Sequence, residues 1–366
     1  MKKLPLAKSS FSKIIEDGYI YVDRTKEIYE LINYSSYVFL SRPRRFGKSL
    51  LVSTLDSLFQ GKKELFKGLW IEDKIEWKEY PVLRIDFGDL NYDSLEKFKQ
   101  EMADVLDRFA EKYDIVLKPS HYVSKIRELI LDVYAKTGKE IVVLIDEYDA
   151  PIARHITDLE LATQYQNSLR DFYSILKARN HQLKFVFLTG ISKFAKMSIF
   201  SVINLMKDVS LLPRFNNVVG FTEGDLQQYF GGYISEFAQK QQLSNQEVLD
   251  EMTRWYDGYS WDGENKMYNP YSIVNFLQDQ EFQNYWFETG TPTILIKLIK
   301  EKYAKETDKV PTVEEFENKE AVGLNQSYDL EQKIPLVKLL FESGYLTTKH
   351  ILKTVIGKLY TLTYPN

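Results

Sequence analysis

The segment Tyr37-Val-Phe-Leu-Ser-Arg-Pro-Arg-Arg-Phe-Gly-Lys-Ser49 reads as an apolar strand running into a phosphate-binding loop. In the pattern GxxxxGK[ST], backbone N–H groups of the loop and of the following helix N-terminus surround phosphates. Here those groups belong to Arg44, Arg45, Phe46, Gly47, Lys48, Ser49 and Leu50. The Lys reaches the β and γ phosphates and the hydroxyl holds Mg²⁺, roles that fall to Lys48 and Ser49. The loop departs from the pattern at its start, where Arg42 replaces the first glycine and Pro43, Arg44 and Arg45 fill the turn.

Working outward, a second segment supports the first. Glu140-Ile-Val-Val-Leu-Ile-Asp-Glu-Tyr-Asp-Ala-Pro151 carries five apolar residues into two adjacent carboxylates. Such a run fits a parallel strand covered on both faces, and the carboxyl end of such a strand is where open α/β sheets place ligands. Asp146 is thus the expected support for Mg²⁺ and Glu147 the base that activates water. A further strand, Leu183-Lys-Phe-Val-Phe-Leu-Thr-Gly190, ends where a polar sensor of the γ-phosphate is expected. Thr189 is the first choice for it and Ser192 the second, with a helix-capping role as the bland alternative for Thr189. Either motif alone also fits chance or a solvated helix start; their conjunction in this order points to nucleotide binding.

Composition narrows the class. The 366 residues suggest two or three domains. A net charge of −4 with both signs interspersed gives no global attraction to nucleic acid or anionic membrane. Without cysteine there is neither a disulfide nor a Cys-based zinc site, and four scattered His make no metal cluster. No signal-peptide core or membrane-length apolar run is present, so a soluble, cytoplasmic protein is expected.

The rest of the chain extends the α/β pattern. An entry segment with Tyr19-Ile-Tyr-Val-Asp-Arg-Thr25 precedes a helix over 26–33, capped by Asp23 or Thr25. Tyr19 and Tyr21 could stack on adenine, but packing is the simpler expectation. A helix over 48–60, a strand at Pro81–Phe87, a long amphipathic stretch over 94–136 and a helix over 159–180 surround the motif strands. Asp208–Leu212 is a candidate last strand. The sensor strand is expected to separate the two motif strands in a mostly parallel sheet.

From Phe221 the pattern turns to helices and loops. Thr222 suits a helix start, and Trp255–Gly263 is an aromatic, Gly-rich turn read as packing. Tyr345–Thr348 and Lys358–Thr363 read as two strands after a helix at 334–343. The expected domains are 1–218, a P-loop domain with its entry segment, and 219–366, a mainly helical region that is winged-helix-like at 292–366.

Several further segments carry a resemblance: Tyr21-Val-Asp-Arg-Thr25, Ser41-Arg-Pro-Arg-Arg-Phe-Gly-Lys-Ser49, Asp146-Glu-Tyr-Asp149, Leu188–Phe194, Tyr268–Ser272, Tyr285–Pro292 and Ser343–Leu346. With them the chain resembles, almost end to end, the bacterial AAA-ATPase-like family whose loop reads Arg-Pro-Arg-Arg-Phe-Gly-Lys-Ser. The resemblance implies an ASCE-type P-loop NTPase fold, a three-layer α/β sandwich followed by a helical region, with Mg-ATP as ligand. Relatives often continue into a PD-(D/E)XK nuclease-like domain. The chain stops at Tyr364-Pro-Asn366 and its last third shows no Asp followed by a Glu-x-Lys in a suitable strand setting, so nuclease activity is not expected of it.

The expected function is Mg²⁺-dependent ATP binding and hydrolysis as a switch or motor for an attached or partner effector. Lys48, Glu147 and Thr189 are the catalytic set, and Ser49 and Asp146 the metal set. Arg170, Arg179 and Arg214 are candidates for an arginine finger, which a second copy of the chain often supplies; Arg44 and Arg45 could meet phosphate directly. Two alternatives stay open. One is a nucleotide-gated module for protein or nucleic acid with negligible hydrolysis. The other is a nucleic-acid-acting ATPase using Lys297, Lys300, Lys302 and Lys305. Asp149 could shift the metal or cap the Pro151 turn, with the cap as the expectation, and the lack of an Asn/Thr-Lys-x-Asp motif leans to ATP over GTP.

Overall fold

Side chains alternate across a strand, so an unbroken apolar strand needs cover on both faces. That is how the central sheet is built. Its strands are β1 (Tyr37–Ser41), β2 (Val82–Asp86), β3 (Ile141–Asp146), β4 (Leu183–Gly190) and β5 (Lys207–Asp208). They run parallel in the order β2-β3-β4-β1-β5, and every residue of β1 and β3 is buried. The strand β4 lies between β1 and β3, as expected of the sensor strand. The structure, a computed structural model, describes residues 1–193, 204–290, 317–324, 336–355 and 357–365.

Helices α1 (Phe11–Glu16), α2 (Thr25–Tyr34) and α3 (Lys48–Phe59) cover one face. There Phe11, Ile28, Leu51, Val52 and Leu55 pack with Val38, Leu40, Val142 and Leu144. Helices α4 (Leu95–Glu111), α5 (Tyr122–Thr137), α6 (Ala150–Ala153) and α7 (Leu159–Ala178) follow. On this opposite face Phe98, Ile126, Leu129 and Phe172 meet Phe39, Leu83, Val143 and Ile145. Each such fully buried aliphatic or aromatic side chain contributes about 1.5–3 kcal/mol. The result is the three-layer α/β sandwich of a P-loop NTPase core. The stretch expected over 94–136 divides into α4 and α5, because Pro119 and the residue before it resist helix between them.

After β5 the chain differs from expectation. Only Lys207 and Asp208 pair with β1, and Pro213 starts a short 3₁₀ segment, Pro213–Val218, instead of a longer strand. Helices α8 (Glu223–Gln241), α9 (Asn245–Tyr256), α10 (Pro270–Asp279) and α11 (Tyr285–Gly290) then build a third cluster around Phe230, Phe237, Tyr256 and Phe276. Thr222 and Asp225 form a reciprocal capping box at the start of α8, as its sequence predicts. Leu4, Ile20 and Val22 of the entry segment join this cluster.

A small antiparallel sheet in the order β6-β8-β7 follows, with β6 (Lys319–Val322), helix α12 (Leu336–Ser343), β7 (Thr347–Thr354) and β8 (Gly357–Thr363). The expected hairpin is β7–β8; β6 is an addition, too short and too polar to be read as a strand. About half of the winged-helix expectation over 292–366, and all of the lysines at 297, 300, 302 and 305, fall outside the described residues. One hydrophobic cluster runs across residues 218 and 219, joining Val38, Phe46 and Val218 to Tyr259, Trp261, Phe341 and Leu362. Among the described residues no helix is long and apolar enough to cross a membrane.

Candidate nucleotide-binding site

The loop after β1 turns on two left-handed residues, Arg45 (φ 69°) and Gly47 (φ 95°). Gly47 then caps α3, so the N–H groups of Lys48, Ser49 and Leu50 lie at a helix N-terminus, where the dipole favours anions. Glycine accepts that backbone without the steric cost a Cβ would add. A cavity of about 570 Å³ opens here, in the size range of small-molecule sites. Residues Arg44 to Leu50 line it, together with Glu147, Tyr21 of the entry segment, and Tyr271 and Asn275 of α10.

Lys48 is buried, with Nζ donating to the carbonyls of Arg42 (3.0 Å) and Pro43 (2.9 Å). Burial lowers its pKa, while Asp146, Glu147 and Asp149 oppose the shift. The ammonium is therefore held at the loop by backbone oxygens, with the acidic strand end close enough to be felt.

Arg42, standing where the pattern has glycine, belongs to the scaffold. It is among the most buried side chains, at 1% exposure. Its guanidinium donates to Ser41 O (2.9 Å), Ser210 O (2.7 Å) and Phe215 O (3.0 Å) and lies over Trp261. Burial pushes its pKa down to about 9, against Asp208 and Asp262, so it remains a cation at neutral pH. Phe46 packs edge-on against Tyr259 and Trp261, Arg45 lies over Tyr271, and Trp286 Nε1 donates to Arg44 O at 3.2 Å. Sequence reasoning missed this clasp; its signal was the Trp255–Gly263 aromatic run, of which Tyr259 and Trp261 pack on the loop while Trp255 and Tyr256 pack on Phe282.

At the end of β3, Asp146 is fully buried. Its Oδ1 accepts from Glu147 N (3.0 Å), and its Oδ2 has no partner among the described residues. An orphaned, buried carboxylate oxygen beside a phosphate loop suits a cation, so Asp146 with Ser49 fits Mg²⁺, which commonly takes one or two protein oxygens alongside phosphate. Glu147 has a left-handed backbone (φ 49°), uncommon outside glycine. Its side chain reaches the cavity, and burial raises its pKa while Lys48 opposes. Gly88 leaves it room, since a Cβ there would sit 2.7 Å from Glu147 Oε2. Burial, with Asp146 next, likewise raises Asp86 at the neighbouring strand end.

The sensor candidates have other commitments. Thr189 is fully buried and its hydroxyl donates to Leu40 O (2.8 Å), joining β4 to β1. Ser192 donates from Oγ to Asp149 Oδ2 (2.6 Å). Asp149 makes no side-chain cap to α6, contrary to expectation, because both its oxygens face the residues after β4. Tyr21 packs edge-on to Phe11 while also lining the cavity, and Tyr19 lies under Lys3 and Lys8. Arg214 pairs with Glu30 and lies over the Tyr34 ring.

Comparisons with known proteins agree with this geometry. The family described as predicted AAA-ATPase matches residues 5–200. A protein of Azotobacter chroococcum mcd 1, described as "Uncharacterized protein in vnfD 5'region", is 36% identical over 367 aligned residues, covering all of this chain and 68% of its own length. With a phosphate loop, an acidic strand end and a parallel core in one arrangement, and a family match over more than half of its residues, the chain belongs to the predicted AAA-ATPase family.

Proposed function

We propose that the chain binds ATP with Mg²⁺ in the cavity at the start of α3 and hydrolyses it, serving as a switch or motor for an attached or partner effector. The observation that carries this is the convergence of Lys48, Ser49 and Glu147 on one cavity. Beside it lies Asp146 Oδ2, a buried oxygen without a partner among the described residues. The triphosphate lies along Arg44 to Leu50, and its oxygens compete with the Arg42 and Pro43 carbonyls for the Lys48 ammonium. The base and ribose take the part of the cavity between Tyr21 and α10, where Tyr271 and Asn275 stand.

Ser49 and Asp146 would hold Mg²⁺, which neutralises phosphate charge when bound. Glu147 accepts the proton of the attacking water as the bond from the γ-phosphorus to the ADP oxygen breaks. Thr189 serves as sensor indirectly, by fixing the end of β4 to β1, and Arg45 is available to phosphate if it leaves Tyr271.

A second reading is favoured by the contacts of Trp286 and Gly344 with the loop. There, nucleotide occupancy holds the C-terminal region in place with negligible turnover. Mg²⁺-dependent ATP hydrolysis by wild type beside Glu147→Gln and Lys48→Ala, with binding measured on the same samples, separates the two. Turnover in wild type, with Glu147→Gln binding but inactive, supports the ATPase. Binding without turnover in wild type supports the gated module, and neither activity would refute both.

A further inference from the structure

Five hydrogen bonds stitch the turn that carries Glu147 to the residues that end β4. Tyr148 N donates to Thr189 O (3.0 Å) and Tyr148 Oη to Ser192 O (2.7 Å). Ile191 N donates to Asp149 Oδ1 (3.3 Å), while Ser192 N (2.8 Å) and Ser192 Oγ (2.6 Å) both donate to Asp149 Oδ2. Asp149 is 4% exposed, so these bonds form where water competes little and charge-assisted bonds are strong. The approach is so close that a Cβ on Gly190 would collide with Asp149 Oδ1 and the Tyr148 ring.

The turn so anchored is the one that puts Glu147 in a left-handed backbone, and a strained residue persists only when its surroundings over-determine it. The same stitch reaches further. Lys193, next after Ser192, pairs with Asp208 (3.0 Å) and donates from its backbone N–H to Glu342 of α12 (3.2 Å). The turn bearing the base, the end of β4 and the C-terminal helix are thus one bonded unit.

We propose that Asp149 is a positioning residue for hydrolysis: by holding Ile191 and Ser192 it fixes the Glu147 carboxylate toward the γ-phosphate without itself touching nucleotide or metal. This rests on the ATPase reading above. Misplacement of a reacting group by about an ångström costs on the order of a hundredfold in rate.

The experiment is steady-state hydrolysis and equilibrium ATP binding by wild type, Asp149→Asn and Ser192→Ala. Asn keeps the shape and one acceptor but removes the charge and the second acceptor. Asp149→Asn is expected to lower kcat by about ten- to a hundredfold with ATP affinity within about twofold of wild type. Ser192→Ala, which deletes one bond and no charge, should lower kcat by about threefold with affinity unchanged. Equal kcat in wild type and either folded variant overturns the proposal, as does parallel loss of kcat and affinity, which marks a general structural role. If Asp149→Asn fails to fold, Ser192→Ala decides alone. Absence of turnover in wild type refutes the ATPase reading, and this proposal with it, whereas wild-type turnover matched by either folded variant refutes only this one.

Discussion

The guanidinium of Arg42 lies 4.0 Å from the centroid of the Trp261 ring, so the first position of the phosphate loop is pinned to an aromatic residue of the C-terminal region. The same cation satisfies three backbone carbonyls. Restoring the glycine of the general pattern should therefore harm the protein. Arg42→Gly is expected to destabilise it by about 3 kcal/mol or more, leaving buried carbonyls without a donor and a void beneath Trp261. Arg42→Lys should recover little, because one ammonium cannot span the three acceptors. Denaturant unfolding of the three proteins checks both outcomes.

Lys48 and Glu147 should separate binding from chemistry. Glu147→Gln is expected to keep ATP affinity and lower kcat by about 10²- to 10⁴-fold, the usual weight of a general base. Lys48→Ala should weaken affinity itself. Titration calorimetry and a phosphate-release assay on the same preparations would show the contrast.

Gly344 (φ 90°) faces the loop so closely that a Cβ would stand 2.8 Å from Pro43 Cβ and 3.1 Å from Trp286 Cζ2. Pro43 O is one of the two carbonyls holding Lys48. Gly344→Ala is expected to cost about 2 kcal/mol through overpacking and a disfavoured backbone. It should also change ATP affinity, although the residue lies outside the cavity lining. An affinity identical to wild type would show that Pro43 yields without moving the lysine.

Asp257 is buried, with Oδ1 unpartnered among the described residues, and burial raises its pKa. A raised carboxylate means that the folded state holds its proton more tightly than the unfolded chain. The stability this provides is complete below 3.8 and is lost as pH rises through the folded value. Asp257→Asn mimics the protonated form and keeps an acceptor for Gly258 N–H. It should be more stable than wild type at pH 7, with the difference shrinking as pH falls toward 4. Thermal unfolding across that range tests it; a constant difference would assign the effect to something other than this carboxyl.

Much of the core was legible because its signals are local. The runs at Val38, Val142 and Phe185 needed cover on both faces, and Gly47-Lys48-Ser49 and Asp146-Glu147 mark strand ends by chemistry that spacing alone reveals. The failures are tertiary. Arg42 read as a defect in a motif because its carbonyls come from Ser210 and Phe215, distant in sequence. Asp149 read as a cap because an Asp before Ala-Pro usually is one, and nothing local announces that Ile191 and Ser192 claim both oxygens. Thr189 was placed correctly at the end of β4, but the direction of a hydroxyl between two strands depends on register, which the residues do not state. The strand β6, Lys319-Glu-Ala-Val322, has too little apolar character to be distinguished from loop.

The clasp on the phosphate loop also has a consequence for biosynthesis. Residues 42–49 leave the ribosome early, yet Trp261, Trp286 and Gly344, which seat them, are made much later. Domains commonly fold as they emerge, but this loop is closed by contacts of long sequence separation. A nascent chain released before α12 would carry the complete motif with its packing partners missing. The loop therefore reaches its native packing only after synthesis has passed α12.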